Sequence, residues 1–114
     1  MKTELEGRTL EFALHIISFV DSFQKNNTGL VVGRQLLKSA TSIGANYREA
    51  NRAESKSDFI HKVGIAEKEA SETEYWLLIC QRAKLGAYDP DGLLDEARQL
   101  LAILTTIGRK AKKR

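Results

Sequence analysis

The side chains that could carry acid–base, nucleophilic or metal chemistry are few in this chain, and their spacing suits none of these. His15 and His61 are the only histidines and fall in different predicted helices, with no HExxH or other metal-ligand spacing around either. A helical metal site needs its ligands one turn apart on one face, so each is expected at the surface or at a boundary. Cys80 has no second sulfur with which to form a disulfide or share a zinc ion. It falls on an apolar stripe, where a thiol packs as a small hydrophobe. Carboxylates recur at helical spacing between Glu67 and Glu74, but without the Glu-x-x-His pairs that build di-iron bundles. The eight glycines are scattered singly, so no loop cradles a phosphate through its amides. The expectation is a protein that is not an enzyme and that uses no metal or cofactor.

What the chain does concentrate is positive charge. Placed at about 100° per residue, Arg34, Lys38, Arg48, Arg52 and Lys56 fall within roughly 80° of one another, provided one helix runs that far. Between Gly29 and Lys56 the only acidic residues are Glu49 and Glu54. A line of cations so poorly neutralised matches the repeating charge of an RNA or DNA backbone. Five more basic residues, Arg109, Lys110, Lys112, Lys113 and Arg114, form a C-terminal tail, leaving thirteen basic against fifteen acidic side chains in residues 1–108. Such a run is either a solvated terminus or a contact for a polyanion. No RNP-like pattern, basic–aromatic interleaving or helix-turn-helix accompanies these cations, so any nucleic-acid binding would rest on charge and shape. The alternative is a protein–protein assembly or adaptor module with no nucleic-acid role.

A second candidate surface lies in the third predicted helix, where Ile65, Glu69, Glu72 and Trp76 share a face about 60° wide, turned away from the main apolar stripe. An aromatic residue among carboxylates fits an oligomer interface, with Asn46, Arg48 and Glu49 as candidate polar partners. A widened core with its glutamates in water fits the same pattern.

Four amphipathic helices must position these groups. The first runs from about Glu4 to Phe23, with Leu10, Leu14, Ile17 and Val20 recurring at spacings of three and four and Ile16, Phe19 and Phe23 widening the face. Asn26, Asn27, Thr28 and Gly29 make a turn cluster. The second spans about Thr28 to Arg52, its inner side formed by Gly33, Leu36, Leu37, Ala40, Ile43, Gly44 and Tyr47. The small residues Gly33, Ala40 and Gly44 let a neighbouring backbone approach closely, against a cost of about 1 kcal/mol per helical glycine.

The third spans about Ser57 to Leu85, with Ser57 as N-cap, Phe59, Val63, Ala66, Ala70, Thr73, Leu77 and Cys80 inward, and Gly86 as the residue that ends it. The fourth opens on Asp89 as N-cap and Pro90, carries Leu93, Ala97, Leu100, Leu104 and Ile107, and stops at Gly108. Joined by short turns, with no period-two strand, they predict an all-α domain, an antiparallel up-and-down four-helix bundle over residues 1–108 followed by the basic tail 109–114.

The chain has 114 residues, enough for one core, with an apolar fraction of 42% and a charged fraction of 29%, as in ordinary globular proteins. The polar stretch from Met1 to Arg8 carries no secretory signal pattern, and no run of ~20 apolar residues offers a membrane span. With a lone cysteine, a cytoplasmic location is the simplest expectation.

The stretch VGRQLLKSATSIGANYREA at 32–50, followed by Arg52-Ala53, Asp58-Phe59-Ile60 and ASETEYWL at 70–77, resembles the signature of the bacterial 23S ribosomal RNA intervening-sequence proteins, also called four helix bundle proteins. The resemblance covers roughly residues 9–80; Ala40 stands where the family often has glycine and Ser71 where it often has aspartate. It implies a four-helix bundle, no enzymatic activity, and assembly into a homo-oligomer, a pentamer among relatives. A related branch serves diversity-generating retroelements, which implies RNA and a reverse transcriptase as partners there.

Overall fold

Four helices account for nearly all of the computed structural model, which describes residues 2–114. They are α1 (Lys2–Asp21), α2 (Asn27–Ala50), α3 (Lys56–Ala83) and α4 (Asp91–Lys113). No strand occurs among the described residues. The helices run alternately up and down in a rod of 47 × 20 × 20 Å. Each packs on its neighbour in sequence, and α1 closes the bundle against α4 only sparingly. The expected antiparallel four-helix bundle is the observed one.

The helix ends follow capping chemistry, with some boundaries displaced from expectation. Asn26, in extended conformation, accepts the Gly29 N–H at 2.9 Å and opens α2. Ser55, rather than Ser57, caps α3, its hydroxyl accepting the Asp58 N–H at 3.0 Å. The two serines lie one half-turn apart, and only Ser55 has the extended backbone that a cap requires. At the other end of α3 the left-handed residue is Lys84 (φ 58°), with the Leu85 N–H donating to the Cys80 carbonyl at 2.9 Å. Gly86 also has a positive φ (91°), and a Cβ there would stand 2.5 Å from the Phe19 ring. Pro90 occupies the N-cap of α4 and Asp89 accepts the Asp91 N–H at 3.0 Å, one residue later than expected.

The core lies along the bundle axis. Leu36, Ala40, Ile43 and Tyr47 of α2, Val63, Ala66, Ala70, Leu77 and Cys80 of α3, and Leu93, Ala97, Leu100 and Leu104 of α4 fill it as their periodicity predicts. Helix α1 departs from expectation. Its buried stripe is Leu5, Thr9, Phe12, Ile16 and Phe19, continued by Phe23, whereas Leu10, Leu14 and Ile17 are 52%, 49% and 38% exposed. Both stripes have the 4-3 spacing of a core seam, and the helix can bury only one in this bundle. The stripe carrying three phenylalanines removes more apolar area from water and takes the inside.

Two polar contacts tie the helices together. The buried Thr73 hydroxyl donates to the Ser39 hydroxyl at 2.9 Å, linking α3 to α2. Arg8 grips Glu96 with two hydrogen bonds of 2.7 and 2.8 Å and reaches Gln99, fastening α1 to α4 beside a groove of about 900 Å³. Among the described residues no buried side-chain nitrogen or oxygen lacks a partner.

Gly44 and Gly33 are where α1 approaches α2 most closely: added Cβ atoms would stand 2.8 Å from Thr9 Oγ1 and 2.9 Å from Val20 Cγ1. Gly64 faces open space. Gly44→Ala is therefore expected to destabilise by about 1–2 kcal/mol, because overpacking outweighs the gain in helix propensity. Gly64→Ala should stabilise by roughly 0.5–1 kcal/mol, and urea unfolding of both variants beside the native chain checks the opposite signs.

Candidate nucleic-acid interface

The cations expected to form one helical ridge are divided by the fold. Arg34, Lys38 and Arg48 stand on the exposed side of α2, but α2 ends at Ala50, so Arg52 sits in the following turn and Lys56 opens α3. The ridge is thus not a single helix face. The C-cap Asn51 turns the chain, its N–H donating to the Tyr47 carbonyl at 3.1 Å while its side chain donates to Glu6 at 2.9 Å.

That turn creates a grouping which helical spacing alone does not show. Helix α4 does not stop at Gly108 but continues to Lys113, because Gly108 is buried inside the helix, its Cβ position 3.6 Å from Val63 of α3. Arg109, Lys110, Lys112 and Lys113 are therefore helical, and they emerge at the end of the bundle where α3 begins. The Lys56 ammonium donates to the Arg114 carbonyl oxygen there. Arg52, Lys56 and the final basic residues thus share one end of the rod. Among the described residues none of them, nor Arg34 or Lys38, has an Asp or Glu oxygen within 4.0 Å. Arg48 lies 3.9 Å from Glu6. A cationic pole results, with Arg34 roughly 24 Å from the end of α2 at Ala50 at 1.5 Å per residue.

The residues of the second candidate surface lie along α3. Ile65, Glu69 and Trp76 are half-buried and Glu72 is exposed. The Trp76 Nε1–H donates to Glu72 at 3.3 Å, and the Tyr75 ring stands edge-on to the indole with 5.3 Å between centroids. Burial raises the Glu69 carboxyl above the usual carboxylate range, with Glu72 adding to the shift and Lys38 and Lys68 opposing it. The anticipated polar partners are engaged elsewhere in the same chain: Asn46 with the Ser42 carbonyl at 2.8 Å, Arg48 near Glu6, and Glu49 with Lys62 at 2.8 Å.

The exposed stripe Leu10, Leu14 and Ile17 belongs to no predicted surface. Its signal in the sequence is the second 4-3 apolar repeat of α1, which periodicity alone assigns to the core. His15 and His61 are both exposed. Among the described residues no three His, Cys, Asp or Glu side chains gather as a metal site, and no helix is long and apolar enough to cross a membrane.

The family model of the 23S rRNA-intervening sequence proteins matches residues 2–106. The chain belongs to that family. A crystal structure of a protein of unknown function from the S23 ribosomal protein family of Bacteroides thetaiotaomicron VPI-5482 superposes with a TM-score of 0.85. It has 36% sequence identity, over 96% of this chain and 99% of that one. No curated protein matches.

This intervening-sequence protein keeps its one thiol out of reach. Cys80 is fully buried, and burial pushes its pKa up to about 11. Near pH 7.5 the thiolate fraction is then about a hundredfold below that of an unfolded chain. A thiol reagent should accordingly modify native protein at least about a hundredfold more slowly than protein in urea, as followed by absorbance; equal rates would contradict this burial.

Proposed function

We propose that this protein is a non-catalytic, self-associating helical bundle that holds an RNA or DNA strand by its phosphates. The observation that carries the reading is the cationic pole, where Arg52, Lys56 and the terminal basic turn of α4 meet with no Asp or Glu oxygen within 4.0 Å of them among the described residues. Cations that an adjacent Asp or Glu does not neutralise keep their full attraction for a polyanion, and release of the polyanion's counterions supplies the binding free energy. Self-association would multiply the pole and extend the charged surface along a strand. A helix end presenting Lys110, Lys112 and Lys113 in its last turn also sets those cations at the helix's negative terminus, an arrangement that stabilises the helix end. Base identity would go unread, since Phe59, the aromatic side chain one turn from Lys56, is packed against the core.

A protein-assembly module is the second reading, and the exposed Leu10, Leu14 and Ile17 favour it. Under the nucleic-acid-binding reading, purified protein should carry absorbance near 260 nm that falls away at high salt. Replacing Arg109, Lys110, Lys112, Lys113 and Arg114 by Gln keeps α4 helical. This variant should weaken binding to a structured RNA about tenfold near 0.1 M salt and reduce the slope of log affinity against log salt by about 0.7–0.9 for each phosphate no longer neutralised. Arg52→Glu with Lys56→Glu should act in the same direction. Affinity unchanged in both variants, in a gel-shift or anisotropy titration, would overturn the reading.

A further inference from the structure

The groove of about 900 Å³ between α1 and α4 belongs neither to the pole nor to the exposed stripe of α1. Its layout follows from the clamp of Arg8 on Glu96. Because α1 and α4 run antiparallel, steps toward the C-terminus of α1 and toward the N-terminus of α4 lead the same way from that clamp. Glu11 lies roughly 4.5 Å along from Arg8, and Gly92 roughly 6 Å along from Glu96, at 1.5 Å per residue. Tyr88 and Asp89 follow in the turn before α4. Glu11, Gly92, Tyr88 and Asp89 all line this one cavity.

Three features of this stretch point to a ligand. Gly7 of α1 and Gly92 of α4 both line the groove, and a Cβ at either would meet nothing within 4 Å. Glycine is disfavoured in a helix relative to alanine. Gly33 and Gly44 are accounted for by the approach of α1 to α2, but no contact within the chain accounts for Gly7 or Gly92. What their missing side chains leave open is the groove itself. Charge is the second feature: the carboxylates of Glu4, Glu11, Asp89 and Glu96 line the cavity against the Arg8 guanidinium and the His15 imidazole. Arg8 is held by Glu96, while neither Glu11 nor Asp89 has a Lys, Arg or His nitrogen within 4.0 Å among the described residues. The third feature is Tyr88, which is 51% exposed, its ring packed on one side against Phe19 with 5.1 Å between centroids. An open aromatic ring bordered by carboxylates attracts an organic cation through the ring quadrupole and through charge together.

We propose that this part of the groove binds a small organic cation, an alkyl- or arylammonium compound whose charge sits between Glu11 and Asp89 and whose apolar body lies on Tyr88 over Gly92. The groove's volume falls within the range of small-molecule sites, about 300–1,000 Å³. A partner helix is a poorer occupant, because Phe12 and Leu93 on the floor are only 1% and 9% exposed and offer an apolar ridge little to cover.

Amide chemical shifts of the full-length protein, freed of nucleic acid at high salt and returned to low salt, test this with benzyltrimethylammonium as probe and benzyl alcohol as its uncharged counterpart. The cation is expected to shift the amides of Glu11, Tyr88 and Gly92 in a saturable way that weakens as salt rises, and to bind at least about tenfold more tightly than the alcohol. Glu11→Gln and Asp89→Asn each remove one charge, and the amide oxygen in Asp89→Asn can still accept the Asp91 N–H. Each should weaken binding about three- to tenfold. Gly92→Leu should abolish binding by filling the groove, with helical circular dichroism unchanged because its Cβ position is open. Gly64→Ala, which lies outside the groove, should bind as the native chain does. Equal binding of cation and alcohol overturns the proposal, as does native affinity in Gly92→Leu and both charge variants. The phosphate-binding reading stands apart from these outcomes, since no altered residue lies at the pole.

Discussion

The close approach of α1 to α2 governs much of this bundle's geometry. At Gly33 and Gly44 there is no room for a side chain, and the space is filled by Val20 and Thr9 from α1. Drawn against α2 in this way, α1 is rotated so that Phe12, Ile16 and Phe19 enter the axis and Leu10, Leu14 and Ile17 turn outward. It is also held back from α4, which it touches mainly through Arg8 and Glu96, and this leaves the wide groove between those helices. Two absent methyl groups thus bear on core, groove and surface at once.

The polar groups that the bundle does bury are few and fully matched. Thr73 and Ser39 satisfy each other and nearby carbonyls, so a hydroxyl pair between α2 and α3 fixes helix register at little desolvation cost. Most of the remaining charge is placed at the rim, where the ion pairs of the described residues are partly solvated and contribute modestly. Cations with no Asp or Glu partner among the described residues gather where α2 hands over to α3 and α4 ends. That distribution separates a cationic pole from an apolar flank, so the two candidate binding surfaces occupy different parts of one small molecule.

Much of this was legible in the residues. In α2, α3 and α4 periodicity picks out a principal apolar stripe, and Leu36, Leu77 and Leu100 fall within it and are buried. In α1 two apolar faces compete, and periodicity cannot rank them; the decision rests on the buried phenylalanines finding space among distant residues, Phe19 against Gly86 and Tyr88 and Phe23 beside Gly33, which is a tertiary fact. Ser55 and Ser57 likewise differ in backbone conformation rather than in type. Gly108 reads as a stop because glycine so often follows a helix, whereas here it is buried within α4, facing Val63 of α3. The pole was the least legible feature, since Arg52, Lys56 and the last turn of α4 are brought together only by the turn at Asn51 and the return of the fourth helix.

The order of contacts along the rod also bears on how the chain reaches its shape. Successive helices are antiparallel neighbours joined by a few residues, so α1 with α2, α2 with α3, and α3 with α4 each form from segments already adjacent in sequence. Only the sparse α1–α4 closure unites distant parts of the chain, and loop-closure entropy is met mainly there. A topology so rich in local contacts belongs with the rapid folders, those that collapse in microseconds to milliseconds. The same economy makes the first helix the least anchored of the four, the element whose transient release would expose the phenylalanine seam before any other part of the core.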